Sequence, residues 1–172
     1  EGIDQVQVIV VDGGSTDKTI RVAKEAGADK IISSKTREGL ALGFKRGLDT
    51  ALELEADIIV NIDADDQYDP TQIPALIKPM IEGEADIVLG SRFKGYIEDM
   101  PLQKRFGNKI ATYVTRSLSG LQISDAQTGF RAFTREAVMK LNILSKYTYT
   151  QETIIQAAYK KLKIVEVPIN FR

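Results

Sequence analysis

Three apolar runs, each breaking off in a cluster of polar residues, constrain the fold more than any other feature of the chain. Residues 6–11 (VQVIVV) end at Asp12-Gly13-Gly14-Ser15. Residues 57–62 (DIIVNI) end at Asp63-Ala64-Asp65-Asp66-Gln67, and residues 85–89 (ADIVL) at Gly90-Ser91-Arg92. The runs are near-continuous rather than alternating, as in strands covered on both faces. Between them Leu40, Phe44, Leu48, Ala51 and Leu54, and later Ile73, Leu76, Ile77, Met80 and Ile81, recur at a helical period. Strand and helix in alternation predict one α/β domain over residues 1–172, with a mostly parallel central sheet and helices on both faces. In such sheets ligands bind beyond the carboxyl ends of the strands. Parallel strands would bring all three polar clusters to one edge.

The acidic cluster carries the most chemistry. Carboxylates two residues apart on an extended segment point the same way. Asp63 and Asp65 then repel each other unless a cation lies between them, and a divalent metal with oxygen ligands is the expected partner. The competing reading is a solvated acidic loop behind a core strand. The cluster Asp12-Gly13-Gly14-Ser15 reads either as a phosphate-cradling turn or as a plain strand-to-helix turn, with Ser15, Thr16 or Asp17 capping a helix near Lys18. Asp12 itself can accept hydrogen bonds from a base or ribose. Neither the G-x-G-x-x-G fingerprint nor a P-loop occurs.

Composition removes several alternatives. The chain has 172 residues, no Cys and no His. That excludes disulfides, thiolate nucleophiles, Ser-His-Asp triads and His-ligated metals. A formal net charge of −1 gives no global field for nucleic acid. No apolar run approaches the ~20 residues that span a bilayer.

The second half adds a basic segment and a polar one. Arg92, Lys94, Lys104, Arg105, Lys109 and Arg116 face only Glu98 and Asp99 in charge. Residues 103–121 are helical by period, so the basic residues form either a solvated helix face or a surface for an anionic membrane. Arg92 and Arg105 are the candidates for gripping a phosphate, since a guanidinium offers paired donors. Residues 124–133, including Asp125-Ala126-Gln127-Thr128-Gly129-Phe130-Arg131, read as irregular and polar. Gln151-Glu152 reads as a helix cap. Residues 164–171 alternate like a strand that Pro168 confines to an edge or an end.

Taken in order, VVDGGSTDKT, NIDADDQ, GSR, the basic helix, DAQTGFRAF and the closing EVPI resemble family 2 glycosyltransferases of the GT-A fold. The nearest group is the dolichyl-phosphate (polyprenyl-phosphate) sugar synthases. The resemblance implies a hexosyltransferase with Mg²⁺ or Mn²⁺ held against a diphosphate by Asp63 and Asp65. It implies a nucleotide-sugar site that includes Asp12, Gly14, Ser15, Asp63, Ala64, Gln67 and Asp125, with Asp12 at the base. Arg92 and Arg105 match residues placed for the acceptor phosphate, and Asp65, Arg92, Arg105 and Arg131 form the expected catalytic set. Asp125 and Arg131 match a D-x-x-[ST]-G-F-R segment near sugar and acceptor. Gly13 stands where the family often has a second Asp. The family's first strand and P-x-x-N-E-type segment have no counterpart here, which implies an N-terminally trimmed domain. Without Trp, the Q-x-x-R-W motif of processive synthases is excluded.

The implied reaction displaces a nucleoside diphosphate from the anomeric carbon with inversion. The donor is of the GDP-mannose, UDP-glucose or UDP-GlcNAc type. A phosphate monoester, with a second pKa of about 6, is ionised at neutral pH and needs alignment rather than a base. The absence of His therefore favours a polyprenyl or dolichyl phosphate acceptor, at the cytoplasmic face of a membrane. The rivals are transfer to a sugar hydroxyl of a glycan or glycolipid, a non-catalytic nucleotide-sugar-binding module, and a haloacid-dehalogenase-type phosphatase. The last wants Thr or Val where Gln67 stands.

Overall fold

The structure, a computed structural model, describes residues 2–35 and 39–172. The chain divides into two compact units, Glu1–Ala56 with Ile143–Tyr149 and Asp57–Asn142 with Thr150–Arg172.

The first unit contains β1 (Ile9–Asp12), α1 (Thr19–Glu25), β2 (Lys30–Ser33) and α2 (Leu40–Glu53). β1 and β2 pair in parallel, from Ile9 opposite Lys30 to Asp12 opposite Ser33. The ladder begins three residues later than the apolar run suggests. Val8 instead exchanges hydrogen bonds with Asp29, in the turn before β2. Lys18 holds the N-cap position of α1 without a side-chain cap, and Asp17 just before it accepts the Thr19 N–H at 2.9 Å through Oδ1. α2 buries Ala41, Phe44, Leu48 and Ala51, a stripe at three- and four-residue spacing, and Phe44 stacks on Tyr149 with ring centroids 3.6 Å apart.

The second unit holds β3 (Ile58–Asn61), a 3₁₀ turn (Pro70–Gln72), α3 (Ile73–Ile81), β4 (Ile87–Ser91), α4 (Leu102–Ser119), β5 (Arg131–Thr134), α5 (Arg135–Lys140), α6 (Thr150–Tyr159) and β6 (Ile164–Pro168). Its sheet order is β3-β5-β4-β6. β4 and β6 are parallel, while β5 runs antiparallel to both β3 and β4. β3, β4 and β6 thus point one way, and the ends of β3 and β4, with Asp63 and Arg92 just beyond them, share one edge as expected. β6 lies at the sheet margin, where Pro168 costs no ladder bond. β5 corrects the irregular reading of residues 124–133. It is four residues long (RAFT) with polar side chains at both of its ends, so it lacks a visible apolar run. Phe133 pairs with Ile59 on one side and Ile87 on the other.

The core of this unit joins Leu76, Ile77 and Met80 of α3 to Val88, Ala132, Phe130, Tyr68, Ile169 and Phe171. Each large side chain buried there contributes roughly 1.5–3 kcal/mol. α4 is inverted by comparison. It buries Thr112 and Thr115 and leaves Leu102, Phe106, Ile110, Tyr113, Val114 and Leu118 49–81% exposed. At 100° per residue these six form one stripe, with Arg105, Lys109 and Arg116 along one border. No helix among the described residues is long and apolar enough to cross a membrane.

Candidate functional site

The acidic stretch leaves the sheet before its acids begin. β3 ends at Asn61, and residues 64–67 bend rather than extend. The strand alternation expected for Asp63 and Asp65 does not apply, yet the two remain close enough to repel. Burial pushes the Asp63 carboxyl above the ordinary carboxylate value and the Asp65 charge pushes it further, while Arg131, Arg92 and Lys104 pull it back. Among the described residues, no hydrogen bond and no ion pair within 4.0 Å reaches the Asp63 carboxylate. Asp65 is exposed and accepts the Gln67 N–H at 3.2 Å. Ala64 and Asp66 are exposed too, and Asp66 reaches Arg172 at 3.6 Å.

Next to Asp63 lies the polar segment. The Gly129 N–H donates to the Tyr68 hydroxyl at 3.1 Å, and Asn61 Nδ2 donates to the Gly129 carbonyl at 2.7 Å. Tyr68 is buried, and burial raises its phenol above the ordinary value.

Arg92 and Asp125 form a buried pair, 3% and 0% exposed. Arg92 Nε and Nη2 donate to the two carboxylate oxygens at 2.7 and 2.8 Å, and the Arg92 N–H adds a third bond at 3.1 Å. Glu166 on β6 steadies the same segment. Its carboxylate accepts the N–H of Ser124 at 2.7 Å and of Asp125 at 3.0 Å, and pairs with Lys94 Nζ at 2.9 Å. The Arg92 guanidinium sits 5.2 Å from the centre of the Phe171 ring, and Lys104 Nζ 5.7 Å from it.

Arg131 differs from what the sequence suggests. It is fully buried and donates to the carbonyls of Thr128, Thr150 and Ala126 and to Thr153 Oγ1, all at 2.8–2.9 Å. Its guanidinium braces the 126–131 segment against α6 rather than opening onto a substrate. Arg105 is exposed on α4, away from the buried Arg92–Asp125 pair in environment. From α4, Lys104 lends its positive charge to Asp63. Gln127 Nε2 is the one buried side-chain nitrogen or oxygen among the described residues without a hydrogen-bond partner.

Asp12, in the first unit, has the opposite surroundings. Its carboxylate accepts the Ser15 and Gly14 N–H groups at 3.1–3.2 Å and the Ser33 hydroxyl at 2.8 Å. Hydrogen bonds from Ser15 and Ser33 hold its pKa below the ordinary value. Gly14 adopts φ +98°, which a side chain would disfavour, and so turns its N–H toward Asp12.

The sequence points to Asp63, Asp65, Arg92 and Asp125 as site candidates, whereas the contacts of Tyr68, Gly129, Lys104 and Glu166 emerge only in the folded chain. Tyr68 sits just past the NIDADDQ motif, and Glu166 opens the EVPI segment, which by itself assigns it no chemistry. Lys104 and its neighbour Arg105 are indistinguishable by sequence pattern. No cluster of three or more acidic side chains able to hold a metal occurs among the described residues. Asp63 and Asp65 fit a hard cation that takes the rest of its ligands from a diphosphate and water, the usual arrangement for Mg²⁺ in phosphate sites.

Known proteins are similar to this chain over nearly its whole length. The family described as Glycosyl transferase family 2 matches residues 2–141. The UDP-N-acetylglucosamine–dolichyl-phosphate N-acetylglucosaminyltransferase of Methanococcus voltae is 36% identical over 184 residues, covering 95% of this chain and 73% of its own. The polyprenol monophosphomannose synthase of Mycolicibacterium smegmatis is 30% identical, covering 97% of this chain and 67% of its own. Glucosyl-3-phosphoglycerate synthase of Mycobacterium tuberculosis, solved with Mn²⁺, UDP and product, superposes with a TM-score of 0.72 at 22% identity, over 95% of this chain and 59% of that one. The chain thus spans about three-fifths of that solved structure. The chain belongs to glycosyl transferase family 2, as a glycosyltransferase domain of the GT-A fold.

Proposed function

We propose that this domain moves a hexose from a nucleotide-diphosphate sugar to a polyprenyl or dolichyl phosphate, inverting the anomeric centre, at the cytoplasmic face of a membrane. The observation that carries the reading is the state of Asp63: half-buried, its pKa raised by that burial and by Asp65, and without a hydrogen bond or ion pair among the described residues. A protein keeps such a carboxylate at a cost of destabilisation, and a bound cation relieves it. Asp63 and Asp65 would hold Mg²⁺ or Mn²⁺, which when bound supplies positive charge to the leaving diphosphate.

The protein's own groups do the rest. Arg92 and Asp125, locked together, shape the floor beside Asp63, with Arg92 contributing charge rather than a free fork. Lys104 and exposed Arg105 are the cations proposed to align the acceptor phosphate. Gln67 and Ala64 flank the diphosphate by the family resemblance. For Asp12, Gly14 and Ser15 the proposed role is nucleoside recognition, on the same ground. The outward apolar stripe of α4 with its basic border supports a lipid-borne acceptor over a free glycan. Two relatives are named for dolichyl-phosphate or polyprenol products, which supports the same choice.

The test is a panel of GDP- and UDP-sugars offered with a short polyprenyl phosphate and Mg²⁺ or Mn²⁺, read by product mass, with the anomeric configuration read by NMR. A polyprenyl-phosphate sugar of inverted configuration, abolished by chelation, is expected. Transfer only to sugar hydroxyls, or retention, would overturn it.

A further inference from the structure

We propose that Gly129 is a positioning residue for Asp63: the space its missing side chain leaves is where the Asp63 carboxylate sits. A Cβ built on Gly129 would lie 2.1 Å from Asp63 Oδ2, 2.8 Å from Cγ and 3.1 Å from Oδ1, so the three nearest atoms all belong to that one side chain. Real Cβ atoms do not approach that closely. The backbone gives no other reason for a glycine here. Gly129 is absent from the residues with positive φ, whereas Gly14, Gly27, Gly83 and Gly120 are among them.

The acidic stretch also fixes where Gly129 lies. Asn61, two residues before Asp63, donates to the Gly129 carbonyl at 2.7 Å, and Tyr68, five residues after it, accepts the Gly129 N–H at 3.1 Å. Both polar groups of Gly129 are thus tied to the segment whose carboxylate it accommodates. Asn61 is tied to the sheet through β3 and Tyr68 to the core through Phe130 and Phe171, with ring centroids 5.5 and 5.2 Å away. The turn cannot back away from Asp63 without breaking these anchors. A methyl group at position 129 must displace the more mobile partner, the carboxylate itself.

The D-x-x-T-G segment therefore acts on the acidic stretch through shape. It sets where one half of the proposed cation site stands, and Asp125 and Gly129 serve the site from the same short loop by different means. The consequence for metal binding rests on Asp63 being a cation ligand; the steric seat does not.

The experiment compares wild type, Gly129→Ala, Asp63→Ala and the double variant. Mn²⁺ binding is followed by electron paramagnetic resonance, in separate titrations with UDP and GDP, and the metal-free crystal structure of Gly129→Ala is determined. The expected results are a loss of Mn²⁺ affinity of at least about tenfold in Gly129→Ala, and an Asp63 side chain rotated out of its seat over an unmoved 128–130 main chain. If Gly129→Ala fails to fold, the double variant, which lacks the obstructing carboxylate, is expected to fold. Wild-type Mn²⁺ affinity with Asp63 still seated, or a double variant that fails as badly as Gly129→Ala, would overturn the proposal. If Asp63→Ala itself keeps Mn²⁺ affinity, the cation reading of Asp63 falls, while the displaced side chain in Gly129→Ala still upholds the seat.

Discussion

Asp12 closes β1 and Asp63 lies two residues past β3, and the sequence marks both as site residues, yet the protein treats them in opposite ways. Asp12 is wrapped by two N–H groups and a hydroxyl, and these hold its pKa down. Asp63 is half-buried beside another acid and has its pKa pushed up. A carboxylate with its hydrogen bonds made stabilises the fold; one without them stores free energy that a ligand can release. Asp125 is the extreme of the first kind, fully buried and held by Arg92 at three points. The lesson is that the sequence position of an acid, at the end of a strand, says where it sits but not what state it is in.

Five variants would break or sharpen that contrast. The largest effect belongs to Asp125→Ala, which leaves Arg92 buried without its partner. Chemical denaturation should show a loss of about 3–5 kcal/mol; a loss under about 1 kcal/mol would mean the pair is not structurally important. Asp63→Asn should next lower the transfer rate by on the order of 10²–10³ while leaving metal-free stability at neutral pH unchanged or higher. Here the sign matters. The folded pKa of Asp63 is raised, so the native state holds its proton longer, and the stability of the metal-free protein falls as pH rises from the unfolded value through the folded one. Asp63→Asn removes that fall.

Asp12→Asn should have the opposite acid behaviour. Its folded pKa is lowered, so its stabilisation is present above the unfolded value and is lost as pH falls through the folded one. Thermal melts between neutral and acid pH should show the variant weaker than wild type at neutral pH, by about 1 kcal/mol, with the difference closing in acid. A difference that widens in acid would contradict the hydrogen-bond geometry. The smallest effect separates neighbours on α4. Lys104→Gln should impair transfer several-fold more than Arg105→Gln, because the Lys104 charge acts on Asp63 and its Nζ sits 5.7 Å from the Phe171 ring that Arg92 also faces, while Arg105 is exposed; equal losses would restore Arg105 as an equal partner.

Much of this was legible in the residues. Continuous apolar runs announced β1, β3 and β4, and period-four spacing announced α2, α3 and α4. The edge shared by Asp63 and Arg92 follows from the parallel course of β3 and β4. What stayed hidden has a common cause. β5, Tyr68 and Glu166 get their meaning from partners 42 or more residues away, such as Glu166 on Ser124 and Tyr68 on Gly129. A local pattern cannot announce a distant partner. Arg131 shows the converse: a motif residue that looked catalytic is consumed by main-chain carbonyls that only the folded loop assembles.

The antiparallel insertion of β5 also dictates a schedule. β3 and β4 are made early but have no direct hydrogen bonds to each other; both pair with residues 131–134, and β4 pairs on its far side with residues 164–168. During synthesis the second unit therefore has no sheet until its middle strand emerges, and its apolar strands wait with open edges in the meantime. Pairings over such sequence separations are slow and exposed to misassociation. A nascent chain halted before Arg131 would present two unpaired apolar strands, which makes that interval the point where a chaperone has most to protect.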